Sequence, residues 1–551
     1  MDSKELHHRK KTQVRSDTTG SKSAGSNLTN ERDASPAGGV DWRCALLIFV
    51  IVFITGFTIS LLSSGITGIF PTYLDGIRLW KWQGGDDRHH QMGQIDEDFS
   101  QSMLSEDQGR ARGIEPLHQD LPKRKSEKGQ PPKPTLTMPT ILWWTDALYP
   151  HSHRGHISEI TCGEHKCLST SDKRILADPL TRGILFYGTD FRAYEAPLPR
   201  KPWHEWALLH EESPMNNYVL IHAMKQFNHS ATFKRESNYP TTTHALPNLD
   251  YLTQRKPVPI EEKNKLRKTS KLAPILYVQS HCDVAADRDR YVKELMKHIR
   301  VDSYGKCVNN KKMPEQMNDP VESMEAEDFY DFIAKYKFHL AFENAICDDY
   351  ITEKFFRPFH VGSVPIYRGS SSAQDWAPSI KSFINVDSFD TPEQLAYFIK
   401  LLDEHDDVYF NYLTYKENGV TNEHLVEHMQ NRKYAVNEWN KHSFISGFEC
   451  YVCEKISERY QAEQGDVPPT HPLLERKIGR GIQMGCPSPG PSVGKLEDVP
   501  ESESIHSWVS DYWGMRLQAV ALDRMIAEGA TDSSKLFDVI ERIHNENQGT
   551  A

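Results

Sequence analysis

The run Phe342–Gly369, FENAICDDYITEKFFRPFHVGSVPIYRG, contains a strand end, a turn, a helix and a second strand. FHLAF (Phe338–Phe342) enters it as a short apolar strand, and SVPIYRG (Ser363–Gly369) leaves it as another. Glu343 and Asn344 fall in the turn, and Asp349-Tyr350-Ile351-Thr352-Glu353-Lys354 enters the helix with Glu353 and Lys354 in its first turn. Strand, helix, strand at this spacing predicts parallel strands joined by a crossover helix. Ligands of open parallel sheets bind beyond the strand carboxyl ends, at helix N-termini, which makes this turn a candidate site. A glutamate in a first helical turn also complements the helix dipole with no ligand present, so position alone does not give it a role.

The same alternation extends in both directions. APILYVQS (Ala273–Ser280) reads as a buried strand, and DRYVKELMKHI (Asp289–Ile299) as a helix with Tyr291, Leu295 and Ile299 four apart. TPEQLAYFIKLLDEH (Thr391–His405) is a helix with Thr391 as cap, Pro392 at the first position and Gln394 completing a capping box. Leu395, Phe398, Ile399 and Leu402 form its apolar face. Upstream, ILWWT (Ile141–Thr145), GILFYG (Gly183–Gly188) and WALLH (Trp206–His210) are strands of a second such unit. The charged run Gln254–Lys271 between the two reads as a linker. The expected fold is α/β, with two Rossmann-like domains facing a cleft.

Apolar residues make up 38% of the 551, enough for a folded core. The net charge of -11 argues against nucleic acid as a partner, because phosphate backbones require a basic face. Cys44–Leu62, CALLIFVIVFITGFTISLL, is uncharged and long enough to span a bilayer. A polar leader precedes it, so it reads as an uncleaved signal anchor. The basic run His7-His8-Arg9-Lys10-Lys11 favours a cytosolic leader and a lumenal remainder. The expected organisation is a cytosolic tail (1–43), an N-terminal transmembrane helix (44–66), a stem (67–138), a first Rossmann-like domain (139–255), the linker (256–271), a second Rossmann-like domain (272–455) and a partly helical C-terminal extension (456–551). In the extension, Trp508, Tyr512, Met515, Ala519, Leu522 and Ile526 recur at helical spacing as a packing stripe.

Among the nine cysteines, Cys162 and Cys167 form one close pair and Cys450 and Cys453 another. Neither pair has zinc-ribbon surroundings, and in an oxidising lumen local disulfides are expected of them. Asn228-His229-Ser230 is a glycosylation sequon on the lumenal side, whereas the sequon at Asn27 lies in the leader.

FEN…DYITEK…GSVPI closely resembles the donor-site signature of the α1,3-fucosyltransferase family, glycosyltransferase family 10. The resemblance covers about residues 205–455 and includes Arg288, the Tyr304-Gly305 pair and the closing Cys450-x-x-Cys453. It implies the two-lobe GT-B architecture, GDP-fucose as donor, inversion at the anomeric carbon, no cofactor and no bound metal. It also implies a glycoprotein acceptor and a Golgi or endoplasmic reticulum membrane location. Residue by residue, Glu353 and Lys354 inherit contacts to the donor: Glu353, counted with the catalytic residues, would hold the nucleotide-sugar hydroxyls or face the developing positive charge, and Lys354 would meet the diphosphate. Asn344, Tyr350 and Tyr304 match positions near the nucleotide, and Arg288 matches the arginine that offsets charge on departing GDP. A diphosphate gains negative charge as it leaves, so a fixed guanidinium is the expected chemistry there.

The family's ESP-like motif appears as Glu211-Glu212-Ser213-Pro214, which makes Glu212 the expected general base, with Glu211 adding like charge beside it. The resemblance departs at Phe227–Asn238, FNHSATFKRESN, and at Ser280-His281-Cys282. With the long C-terminal tail, these departures resemble the branch of protein O-fucosyltransferases acting on EMI domains. The acceptor is then either a Ser/Thr hydroxyl of a folded domain or a GlcNAc of a glycan. Two other readings stay open. Asp287-Arg288-Asp289 is a DxD-type triplet of the kind that holds a cation on a diphosphate, and the chain could be an inactive membrane-anchored chaperone or lectin of the same fold.

Overall fold

A computed structural model describes residues 133–151, 155–317, 324–435, 443–465, 467–468 and 470–549. The leader, the expected anchor and nearly all of the stem lie outside them. Among the described residues no helix is long and apolar enough to cross a membrane.

The first lobe is a six-stranded sheet in the order β2-β3-β1-β4-β5-β6. Its strands are β1 (Thr140–Trp143), β2 (Ser158–Cys162), β3 (His165–Thr170), β4 (Thr181–Tyr187), β5 (Glu205–His210) and β6 (His229–Thr232). All pairs are parallel except the β2–β3 edge hairpin. Every residue of β5 is buried. Trp206 and Leu208 enter the core on one face, Ala207 and Leu209 the core on the other, as a period of two requires.

The second lobe is a parallel five-stranded sheet in the order β11-β10-β9-β7-β8. It comprises β7 (Ile275–Gln279), β8 (Val301–Gly305), β9 (Phe338–Phe342), β10 (Val364–Arg368) and β11 (Ile384–Asn385). The helix that follows β9 starts at Glu353, where the Thr352 side chain accepts from Lys354 N, and runs to Val361. Gly362 ends it with φ 68°, in the left-handed region; a Cβ there would also collide with the Pro257 ring. The helix Pro392–Glu404 is capped by Thr391, which accepts from Gln394 N, while Gln394 Oε1 accepts from Asp390 N.

Three expectations are corrected. Residues Ile260–Thr269 of the expected linker are a helix docked on the second lobe. Lys263 is fully buried there and donates to the carbonyls of Tyr336 and Gly362 and to Ser363 Oγ. The boundary at 455 falls inside one continuous helix, Phe444–Gln464, which packs on β1 to β5 of the first sheet. The disulfides are long-range rather than local: Cys162–Cys450 and Cys167–Cys453. In the hairpin register Cys162 pairs with His165, and Cys167 with Ile160. The two sulfurs therefore leave one face of the hairpin, while Cys450 and Cys453, three apart on the helix, meet them from above.

The C-terminal extension returns to both lobes. Its helix Ser504–Ala527 packs on the short helix Val219–Ala223 of the first lobe. Tyr512, Ala519 and Leu522 of the expected stripe are buried, and Trp508, Met515 and Ile526 pack at the core edge. Ahead of this helix, the Pro-rich run is tied to the second lobe by the disulfide Cys347–Cys486. Ser492 N and Oγ also donate to Asp287 Oδ2.

Candidate active site

Both sheets reverse their winding next to one cleft. In the second sheet the reversal lies between β7 and β9, and in the first between β1 and β4. An open α/β sheet parts at such a switch point and leaves a crevice at its carboxyl edge. The cleft of ≈ 390 Å³ is lined from the first lobe by Tyr187, Thr189, Glu212, Asn216 and His244, and from the second by His281, Asn344, Tyr350, Thr352, Glu353 and Lys354.

The second-lobe wall is built around a buried carboxylate. Glu343, fully buried at the end of β9, accepts from Thr352 N at 2.9 Å and from Thr352 Oγ1 at 2.7 Å. That pair draws the loop back onto the strand end and fixes the start of the following helix. Burial pushes the Glu343 carboxyl up to about 7; Lys354 opposes this and Glu353 adds to it. Lys354 Nζ lies 3.0 Å from Glu353 Oε1 and 3.8 Å from Glu343 Oε2. Burial works against the Lys354 charge, but the two carboxylates outweigh it and raise its pKa. Burial likewise works against ionised Glu353, yet Lys354 and Arg357 bring its carboxyl down to about 2. The cleft thus presents a fixed cation and a fixed anion at a helix N-terminus.

The loop before this helix crosses to the first lobe. Asp349, buried and with φ 63°, accepts from Arg235 Nε at 2.9 Å and from Arg235 Nη2 at 2.6 Å. It also accepts from Ser372 Oγ and Trp376 Nε1. Next to it, buried Tyr350 packs edge-on against Phe233 and donates to Glu212 Oε2 at 3.2 Å.

Glu212 follows β5 on a loop held from below. Buried His210 bonds the Ser213 carbonyl through Nε2 at 3.3 Å. Asn217 Nδ2 donates to the Gly188 and Phe191 carbonyls. Beside it, Glu211 accepts from the Tyr187 hydroxyl at 3.4 Å, and its pKa is raised, by burial first and then by the Glu212 charge.

The structure therefore brings Glu212, Asn344, Tyr350, Glu353 and Lys354 to one cleft. Arg288 stands behind it. Its buried guanidinium donates to the Phe342 carbonyl at 3.0 Å and the His281 carbonyl at 2.7 Å, joining the two strand ends at the switch point. Tyr304 is not brought to the cleft: its hydroxyl pairs with that of Tyr336 at 2.8 Å in a separate apolar cluster. Asn228, the expected glycosylation site, lies inside the first lobe. Its amide is buried, accepting from Trp206 N and Arg200 Nη2 and donating to the Lys477 carbonyl.

The acids of the Asp287-Arg288-Asp289 triplet are also engaged. Asp287 accepts from Arg290 and Ser492, and Asp289 from the Tyr277 hydroxyl. The one metal-like grouping among the described residues, Cys282, Asp289 and Cys307, has its two sulfurs joined in a disulfide. The sequence placed Glu343, Asp349 and Thr352 in the candidate turn without a role for them, and it gave no sign of His244 or of the Arg235–Asp349 pair. Arg235 and Asp349 are 114 positions apart, and nothing local in either segment signals the contact.

A family model described as glycosyltransferase family 10 (fucosyltransferase), C-term, matches residues 267–467, and one described as fucosyltransferase, N-terminal, matches residues 136–243. The GDP-fucose protein O-fucosyltransferase 3 of Homo sapiens is 42% identical over 404 residues, covering 72% of this chain and 82% of the relative. That of Gallus gallus is 41% identical over 403 residues, with the same coverage, 72% and 82%. Among solved structures, an α1,3-fucosyltransferase with GDP-fucose is 16% identical with a TM-score of 0.32, covering 62% of this chain and 95% of that one.

Proposed function

This chain belongs to glycosyltransferase family 10, the fucosyltransferases, and from that premise we propose that it transfers L-fucose from GDP-fucose, with inversion, to a Ser or Thr hydroxyl of a folded secretory-pathway glycoprotein. The observation that carries the mechanism is the Tyr350–Glu212 hydrogen bond, which sets a first-lobe carboxylate opposite Glu353 and Lys354 in one cleft. The printed names of the relatives, protein O-fucosyltransferases, support a protein acceptor.

In this reading Glu212 takes the proton of the acceptor hydroxyl while its oxygen bonds to the fucosyl anomeric carbon. The bond from that carbon to the diphosphate oxygen breaks, and GDP leaves with the electron pair. Lys354 and the N-terminus of the helix Glu353–Val361 meet the charge that develops on the diphosphate. Arg288, buried behind Lys354, adds positive potential from the second layer. Glu353, held ionised, faces the positive charge that builds on the sugar. Asn344 lines the nucleotide side. No bound metal is needed for these steps.

We further place the catalytic lobes in the lumen of the Golgi or endoplasmic reticulum, anchored by residues 44–66. The four disulfides support an oxidising compartment.

The test is to supply the lumenal fragment with labelled GDP-fucose and a panel of folded extracellular domains and N-glycans. Label that stays on Ser or Thr after an N-glycan-releasing glycosidase supports the reading. Label that leaves with the glycan contradicts it and points to GlcNAc.

A further inference from the structure

His244 lies on the turn Thr241–Leu246, which is tightly held. Thr241 N donates to the Thr232 carbonyl, His244 N to the Thr241 carbonyl and Leu246 N to the Thr243 carbonyl. Arg432 donates to the Thr243 carbonyl, and Thr243 Oγ1 bonds His428 Nε2. The imidazole packs against Phe444, with ring centroids 6.0 Å apart, so it is fixed from below as well.

The protonation of the ring follows from one contact. Nδ1 lies 3.1 Å from the Thr241 carbonyl oxygen. A carbonyl oxygen only accepts, so Nδ1 carries the hydrogen. Burial depresses the pKa, which keeps the ring neutral, and its other nitrogen is then a bare acceptor. Among the described residues nothing meets Nε2, and the ring lines the cleft with Glu212, Tyr350, Glu353 and Lys354.

A bare acceptor selects a ligand atom that bears hydrogen. The diphosphate oxygens are themselves acceptors, so they are excluded. The charged side chains that line the cleft with His244 are Glu212, Glu353 and Lys354. In the proposed mechanism these are the base, the group facing the sugar and the diphosphate anchor, so the moiety between them is the transferred sugar. We propose that His244 Nε2 accepts a hydrogen bond from a hydroxyl of the donor's fucosyl ring and so orients the sugar between Glu212 and Lys354. This inference rests on GDP-fucose being the donor and adds a sugar-binding residue to the proposed site.

The test compares GDP-fucose with GDP, which differ by the sugar alone, using calorimetric dissociation constants for the wild type, His244→Ala and His244→Gln. His244→Ala should weaken GDP-fucose roughly five- to tenfold and leave GDP within twofold, as loss of one neutral hydrogen bond predicts. His244→Gln, whose side-chain oxygen accepts, should recover most of that loss. Equal weakening of GDP and GDP-fucose would overturn the proposal, since a collapsed turn or a nucleotide contact does that. GDP-fucose affinity unchanged while the acceptor KM rises would overturn it too, by moving His244 to the acceptor. A wild type that binds GDP but gains nothing from the fucosyl group, and transfers none, would contradict the functional reading itself.

Discussion

Tyr350, on the second-lobe loop, donates its hydroxyl to Glu212 Oε2 of the first lobe at 3.2 Å. The bond crosses the cleft and aims the carboxylate that the proposed mechanism uses as base. A hydrogen bond to a charged group contributes about 1.5–3 kcal/mol. Tyr350→Phe keeps the ring that packs on Phe233. It should therefore fold normally yet lose roughly tenfold or more in kcat, read by steady-state transfer assays. Unchanged kcat would show that Glu212 is oriented by something else.

A second contact between the lobes, Arg235 with Asp349, is structural. Arg235→Met leaves the buried Asp349 carboxylate with Ser372 and Trp376 as remaining side-chain donors. Losing one partner of a fully buried pair costs about 3–5 kcal/mol, and the Arg235 side chain, one-third exposed, reduces that. A loss of about 2 kcal/mol in urea unfolding is expected, with looser GDP binding because Asp349 holds the loop proposed to bind the donor.

Donor binding should depend on Lys354 and not on added metal. Lys354→Met removes a charge-assisted contact worth about 1.5–3 kcal/mol, read as weaker GDP binding by calorimetry. Chelator treatment of the wild type should leave transfer unchanged. Activity abolished by chelator and restored by Mn²⁺ would favour the Asp287-Arg288-Asp289 triplet instead.

Glu343 predicts an unusual pH trend. Its carboxyl, pushed by burial from 4.5 up to about 7, favours the protonated form in the folded chain. Its contribution to stability is therefore complete below about 4.5 and is lost as pH rises through about 7. Glu343→Gln keeps an acceptor for Thr352 N and cannot ionise. Urea midpoints measured from pH 5 to 8 should fall less steeply in this variant than in the wild type; identical slopes would contradict the assignment.

How much of this was legible in the sequence follows from the physics of each residue. FHLAF, WALLH and APILYVQS announced their strands because buried parallel strands are continuous apolar runs. The loop ahead of the helix Glu353–Val361 was legible because its turn, cap and helix start are contiguous. Contacts between distant segments were not. Cys162 meets Cys450, and Cys167 meets Cys453, only because the helix Phe444–Gln464 returns to the first lobe. Asn228 carries a sequon, but the fold buries its amide, which no local pattern reveals. Protein purified from a secretory expression system should accordingly carry no glycan at Asn228, as mass spectrometry of the tryptic peptide would show. Tyr304 and Tyr350 are both tyrosines at strand or loop ends; the one on the loop reaches the cleft, and the one on the strand faces an apolar cluster.

The direct test of the account is Glu212→Gln, assayed in one preparation for GDP-fucose binding and for transfer. If Glu212 is the base, the variant binds donor with wild-type affinity and loses roughly 10²–10⁴-fold in transfer rate. Near-normal turnover in a folded variant would contradict the account and move the base elsewhere, with neighbouring Glu211 next in line.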